Sequence, residues 1–158
     1  MIETKRIQLR RFLKSDKSSL ESMMMDDEVL KYTSFRKAQD KDFIEKRLND
    51  WINDNEVWAA ILKESKSVIG WFMLKKTSTT YPELGFMINK ESWGKGYATE
   101  ISLGLIEYAK SVIKAQKVIA FVDQENLPSK NVLDKIGMKE KGHPENKNGS
   151  DYYEIKIN

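Results

Sequence analysis

Ile7 and Leu9 alternate with Gln8 and Arg10, and this period of two predicts a first strand ending at Arg11. Ser15 and Asp16 are suited to cap a helix over residues 17–25, and Asp26, Asp27 and Glu28 then interrupt the apolar pattern. Phe43, Ile44, Arg47, Leu48 and Trp51 recur at spacings of three and four, which predicts a second helix over residues 40–53. Residues 57–62 and 68–74 read as two strands of a hairpin around a polar turn at 63–67. Tyr81 and Pro82 open another short strand, 83–88. A glycine-containing segment follows, and the pattern is then helical to about residue 113. Ile101, Leu105, Tyr108 and Val112 fall within about 60° of one another on that helix, a single core-facing stripe. Residues 117–122 are short, apolar and β-branched, as in a buried strand. A last helix fits 126–135, with Pro128 near its start and Gly137 just past its end. Residues 152–157 form a final strand. This order is mixed α/β. A strand, a crossover helix and a strand across 83–122 imply at least one parallel pair.

Composition narrows the function classes. The chain has 158 residues, the length of one domain. Lys and Arg total 27 against 24 Asp and Glu, a net charge of +3 with the signs well mixed along the chain. No block is strongly basic, so a nucleic-acid footprint is not expected. There is no Cys and one His. That excludes disulfides, thiolate metal sites, Cys nucleophiles and multi-histidine metal centres, so no metal is expected. No apolar run approaches the roughly 20 residues of a membrane span, and the N-terminal residues lack a signal-peptide core. With 32% charged residues and a mean hydropathy of −0.60, the expectation is a soluble, cytoplasmic protein with no membrane partner.

Trp93-Gly94-Lys95-Gly96-Tyr97-Ala98-Thr99-Glu100 carries the most specific chemistry. A strand feeding a glycine-containing loop that opens a helix is suited to bind an anion. The first helical turn has unpaired N–H groups and about half a positive charge. Lys95 adds a full charge. The spacing is not that of a Walker loop, since one residue separates Gly94 from Gly96, nor of a dinucleotide fingerprint, since Thr99 stands where a third Gly is needed. On spacing alone, a helix start that merely needs room is an equal reading.

Glu83-Leu84-Gly85-Phe86-Met87-Ile88 followed by the 93–100 segment resembles the acetyl-CoA motif of the GNAT N-acetyltransferases, in their ribosomal-protein N-acetyltransferase (RimJ/RimL-like) branch. Asn126-Leu127-Pro128-Ser129 with Leu133-Asp134-Lys135-Ile136-Gly137-Met138 resembles that branch's second motif. Residues 4–11 and Val68-Ile69-Gly70 also fit, so the resemblance spans nearly the whole chain in order.

The resemblance implies one GNAT domain over residues 1–158, with a mixed central sheet splayed between its fourth and fifth strands and about four flanking helices. It implies acetyl-CoA as co-substrate, with the pyrophosphate on the backbone N–H groups of Gly94, Lys95, Gly96, Tyr97, Ala98 and Thr99, beside Trp93. The pantetheine arm would pair with the backbone of Phe86, Met87 and Ile88, and Asn126 would hydrogen-bond the arm or an ordered water. Many GNAT enzymes carry a Tyr four residues before the Gly of the second motif, as acid for the leaving thiolate. Leu133 stands there, and Ser129 matches the Ser suggested as its substitute in this branch.

Remaining candidates have two readings each. Glu83 is a general base acting through water, or a structural carboxylate. Glu100 suits a helix start but is a poor neighbour for phosphates. Asp26, Asp27 and Glu28 attract a cationic amine or form a solvated loop, and His143 is an exposed loop residue or a substrate contact. Trp51 and Trp58 read as core, and Tyr32 and Tyr81 as candidates to line the acceptor pocket. The expected activity is transfer of acetyl to a primary amine by direct attack, with a protein or peptide N-terminal α-amine as acceptor. The rivals are a small-amine acetyltransferase and a non-catalytic CoA-binding module. A homodimer is an expectation of the resemblance alone.

Overall fold

A computed structural model of the chain describes residues 2–76, 81–142 and 149–157. Eight strands form a sheet with the hydrogen-bonded order β1-β2-β3-β4-β5-β6-β8-β7. The strands are β1 (Ile2–Glu3), β2 (Ile7–Arg10), β3 (Val57–Leu62), β4 (Val68–Lys76), β5 (Pro82–Ile88), β6 (Lys117–Asp123), β7 (Lys139–Lys141) and β8 (Ser150–Lys156). The strands expected to be fourth and fifth are therefore β5 and β6. They form a parallel pair with Glu83 opposite Ile119. Five α-helices are described, one more than expected: α1 (Lys17–Met24), α2 (Asp27–Leu30), α3 (Lys41–Ile52), α4 (Tyr97–Tyr108) and α5 (Leu127–Lys135). Among the described residues no helix is long and apolar enough to cross a membrane.

The chain divides into two compact units, Met1–Met73 with Phe86–Tyr97, and Leu74–Gly85 with Ala98–Asn158. In the first unit the helical spacing of α1 and α3 buries Leu20, Met23, Met24, Ile44, Leu48 and Trp51. They share a core with Phe12, Ala59 and Met87, and the Phe12 and Trp51 rings lie 5.3 Å apart. The expected capping of α1 by the Asp16 side chain does not occur: Asp16 stands at the N-cap, but its side chain makes no capping bond. Its buried carboxylate instead accepts two bonds from the Arg10 guanidinium, at 2.7 and 2.9 Å, and one from the Leu13 N–H at 2.8 Å. Hydrogen bonding to that carboxylate raises Arg10 above its ordinary pKa. The acidic run is not a loop. Asp26 accepts from the Glu28 N–H at 2.9 Å and caps α2.

In the second unit β6 pairs antiparallel with β8 from Lys117↔Lys156 to Asp123↔Ser150, and β7 pairs with β8 in turn. Ile101 and Leu105 are fully buried on α4, as the stripe predicts. Val112 departs from it and is 60% exposed. The helix widens to π-type turns over Ala109–Ile113, and the i→i+5 bonding rotates Val112 off the stripe and leaves Ala109 on it. α5 ends as expected. The Met138 N–H bonds the Leu133 carbonyl and the Gly137 N–H bonds that of Asp134, both at 3.0 Å. Leu133 and Met138, the residues that flank this ending, are both buried.

Candidate active site

Residues 89–96 connect β5 to α4, with a short 3₁₀ turn over Lys90–Ser92 ahead of the glycines. Gly94 and Gly96 have φ of +72° and +77°, a left-handed backbone that other residues adopt at a cost, and Lys95 between them has no such φ. Left-handed residues of this kind occur in backbone turns whose N–H groups can face an anion. The loop leads into the first turn of α4, where the helix dipole adds to the same field. Gly94, Lys95 and Gly96 are exposed, and Tyr97, Ala98 and Thr99 are half-buried.

Two side chains anchor this loop. The Trp93 indole N–H donates to the Ile88 carbonyl at 2.8 Å, which ties the loop to the end of β5. Arg6 was not singled out from the sequence, because a lone Arg at a strand entry has no periodicity. Its Nη1 donates to the Lys95 carbonyl at 3.0 Å, and its guanidinium lies 4.5 Å from the centre of the Tyr97 ring. The end of β5 is shaped by Gly70. A Cβ there would lie 2.2 Å from the Met87 carbonyl oxygen and 3.0 Å from Ile88 Cα. β4 bulges beside it, since Ala60 faces Gly70 but Ile61 faces Val68. Ile69, the extra residue, accepts from the Asn89 N–H at 2.8 Å. A glycine inside a strand pattern signals close backbone approach, so the sequence does hold the sign of this contact. Phe86 stacks on Phe72 with ring centres 5.4 Å apart.

In the second unit Asn126 caps α5, its Oδ1 accepting from the Ser129 N–H at 3.2 Å. Asn126 therefore occupies the capping position, and the half-buried Ser129 hydroxyl is not the cap. Leu133 is buried in the core, which accounts for an apolar residue at this position. Glu83 is half-buried on β5. Tyr81 precedes it, and the Lys117 ammonium lies 4.9 Å from the centre of its ring. Lys117 also pairs with Glu154 at 2.7 Å, and the Tyr152 hydroxyl donates to Glu154 at 3.2 Å. The Lys117–Glu154 hydrogen bond pushes the ammonium pKa up and the carboxyl pKa down. Burial pushes the Tyr152 phenol up.

Tyr32 lies in the first unit, half-buried with the Lys31 ammonium 4.9 Å from the centre of its ring, and Tyr81 lies in the second. The three acidic side chains of residues 26–28 all have partners. Asp26 caps α2, Asp27 accepts from the Ala38 N–H at 2.7 Å, and Glu28 pairs with Lys90. Trp51 is core as expected, whereas Trp58 is half-buried. His143 lies outside the described residues. Among the described residues no group of three or more His, Cys, Asp or Glu could hold a metal ion.

Residues 6–139 match the acetyltransferase (GNAT) domain family. The chain is 32% identical over 146 residues to a Bacillus subtilis protein named as the uncharacterized N-acetyltransferase YnaD, covering 89% of this chain and 84% of that one. Its fold is similar to that of a GNAT-family acetyltransferase from Bacillus anthracis, with a TM-score of 0.88 at 24% identity over 98% of this chain and 97% of that one. It is also similar to the Vibrio cholerae spermidine N-acetyltransferase solved with CoA and spermine, with a TM-score of 0.75 at 20% identity over 94% and 93% of the two chains. The family match over most of the chain, the relative above 30% identity and the shared fold agree, and the chain belongs to the GNAT family of N-acetyltransferases.

Proposed function

We propose that this N-acetyltransferase takes acetyl from acetyl-CoA at the 93–99 loop and passes it to an α-amine at a peptide or protein N-terminus, as in the RimJ/RimL-like branch. The family match over residues 6–139 runs through both compact units and supports a single catalytic domain. The observation that carries the donor assignment is the loop itself. Two left-handed glycines, an exposed lysine and a helix start offer backbone N–H groups and positive charge, the chemistry that a pyrophosphate requires.

Acetyl-CoA supplies the activated thioester. The neutral amine attacks the thioester carbonyl carbon, a C–N bond forms, and the C–S bond breaks as the tetrahedral oxyanion collapses. Backbone N–H groups of Phe86, Met87 or Ile88 are the candidates to hold that oxyanion. Glu83 accepts the amine's proton through water. Ser129 donates a hydrogen bond to the departing sulfur, in place of the Tyr that Leu133 replaces. With Asn126 capping α5, the Ser129 hydroxyl is not needed for that role. No Cys is available for an acyl-enzyme.

The acceptor class follows from proton energetics. An α-amine has a pKa of about 7.7–8.0 and a lysine about 10.4. At pH 7 freeing the neutral amine costs roughly 1–1.4 kcal/mol for the former and about 4.6 kcal/mol for the latter. A water-linked carboxylate handles the smaller cost more readily. Of the three carboxylates at residues 26–28, Glu28 is already paired with the Lys90 ammonium, which leaves less negative charge there for a polycation. Small-amine acetylation is the second reading, motivated by the shared fold with a spermidine acetyltransferase.

Thiol release from acetyl-CoA tests both readings, measured against peptides with free and blocked N-termini, each containing Lys, and against polyamines, at pH 7. We expect acetylation of free N-termini. Equal rates on blocked peptides would refute the α-amine assignment, and turnover of polyamines alone would establish the second reading. Gly96→Glu sets a negative side chain at the proposed pyrophosphate site, and acetyl-CoA affinity should fall by about tenfold or more, 1.4 kcal/mol. Unchanged affinity in a folded variant would remove the loop from the cofactor site.

A further inference from the structure

We propose that Arg6 is the positioning residue of the anion loop: it fixes the peptide plane between Lys95 and Gly96, so that the Gly96 N–H is presented to a phosphate oxygen. This inference rests on the reading of the loop as the pyrophosphate site of acetyl-CoA.

The argument begins with the peptide group. No cis peptide bond occurs among the described residues, so the Lys95 carbonyl and the Gly96 N–H point in opposite directions across one plane. Arg6 Nη1 holds that carbonyl at 3.0 Å. The Gly96 N–H is thereby directed away from the guanidinium, toward the opposite side of the loop. Gly96 itself cannot select this orientation, because glycine accepts φ of either sign with little preference. A flipped peptide would present a carbonyl oxygen to the ligand and repel a phosphate. The selection must come from outside the loop, and the Arg6 hydrogen bond supplies it.

Arg6 is built to hold still. Its own carbonyl accepts from the Lys63 N–H at 2.9 Å. The preceding turn is closed by Thr4, whose N–H donates to the Ile7 carbonyl at 2.9 Å and whose Oγ1 accepts from the Ile7 N–H at 3.1 Å. At the other end the guanidinium covers the Tyr97 ring, a cation–π contact at the first residue of α4. A Cβ on Gly96 would stand 3.6 Å from Arg6 Nη2, so the guanidinium lies along this flank of the loop. Every residue in this arrangement belongs to the first compact unit.

The test measures calorimetric affinity for CoA and for 3′-dephospho-CoA in wild type, Arg6→Ala and Arg6→Lys. It also measures the ratio of kcat/KM for acetyl-CoA over that for S-acetylpantetheine, which has no pyrophosphate. Loss of a hydrogen bond from a charged donor should weaken CoA and dephospho-CoA alike, by about tenfold or more. The acetyl-CoA to S-acetylpantetheine ratio should fall by a similar factor, and Arg6→Lys should recover part of both. A merely structural defect lowers both substrates together and leaves the ratio alone. Weakening of CoA but not dephospho-CoA would make Arg6 a direct ligand of the 3′-phosphate and overturn the positioning role. Should Arg6→Ala not fold, Arg6→Met keeps the apolar stem and takes its place. If wild type binds CoA, Gly96→Glu abolishes binding and the Arg6 variants bind normally, the loop assignment stands and the Arg6 inference falls. If wild type binds no CoA, both fall.

Discussion

Replacing Gly70 with Ala adds one methyl group and should be among the most damaging small changes in the first unit. That Cβ would sit 2.2 Å from the Met87 carbonyl oxygen, and its next neighbours are also backbone, Ile88 Cα at 3.0 Å and Met87 C at 3.1 Å. No flexible side chain can move aside. Reaching an ordinary carbon–oxygen separation of about 3.3 Å requires the strands to part by about 1 Å. A ladder hydrogen bond stretched by that amount is no longer one. Overpacking costs about 1–3 kcal/mol. A buried backbone group left unpaired costs about as much again. The expected destabilisation is therefore about 3 kcal/mol, and at about 2–4 °C per kcal/mol the Tm should fall by roughly 6–12 °C. Gly142→Ala is the matched control. The same methyl there meets nothing within 4 Å, and the backbone is not left-handed. It should be neutral or stabilising by up to about 1 kcal/mol. Urea unfolding of both variants measures the difference. If Gly70→Ala lies within about 0.5 kcal/mol of Gly142→Ala, the close approach of β4 to Met87 is not a constraint, and the reasoning fails.

Ser129→Ala should lower kcat by about 10²-fold with little change in acetyl-CoA affinity, as loss of an acid–base partner does. A kcat within about twofold of wild type would return Ser129 to a packing role. Glu154→Gln should flatten the acid limb of stability. The depressed Glu154 carboxyl stabilises fully above its unfolded pKa of about 4.3. That contribution is lost as the pH falls through the lower folded value. The raised Lys117 ammonium contributes below about pH 10.4 and loses its contribution as the pH rises through the higher folded value. As the pH falls from about 6 to 3, urea midpoints should fall more steeply in wild type than in the variant, and parallel curves would show that the pair adds nothing.

Elements that repeat a period over several turns or pleats were legible in the sequence. α3 announces itself by Ile44, Leu48 and Trp51, and α5 by Pro128 and Gly137, because burial and chain-end chemistry act locally there. β1, α2 and β7 were missed for the opposite reason. Two, four and three residues are too short to show a period, and β7 (Lys-Glu-Lys) is exposed throughout and exists because β8 offers it a partner. The π-type turns after Tyr108 change the helix pitch without a mark in the hydrophobic pattern, and Val112 was misplaced accordingly. The loop around Gly94 and Gly96 was visible because its glycines stand at unusual spacing. Its anchor was not, since Arg6 and Lys95 are distant in sequence and meet only through folding.

The division of the chain into units sets an order of events during synthesis. Met1–Met73 makes most of the first unit, but that unit is closed by Phe86–Tyr97. At about 5–20 residues per second, the ribosome needs roughly one to five seconds to deliver residues 74–97 after Met73. Throughout that wait Gly70 has no Met87 opposite it, the Arg6 guanidinium has no Lys95 carbonyl, and β4 presents an open edge of the kind that pairs with stray strands. The nascent chain is thus most vulnerable to aggregation after β4 has emerged and before the glycine loop has. The segment that brings the glycine loop also ends the exposure, so closure of the first unit and anchoring of that loop by Arg6 fall together.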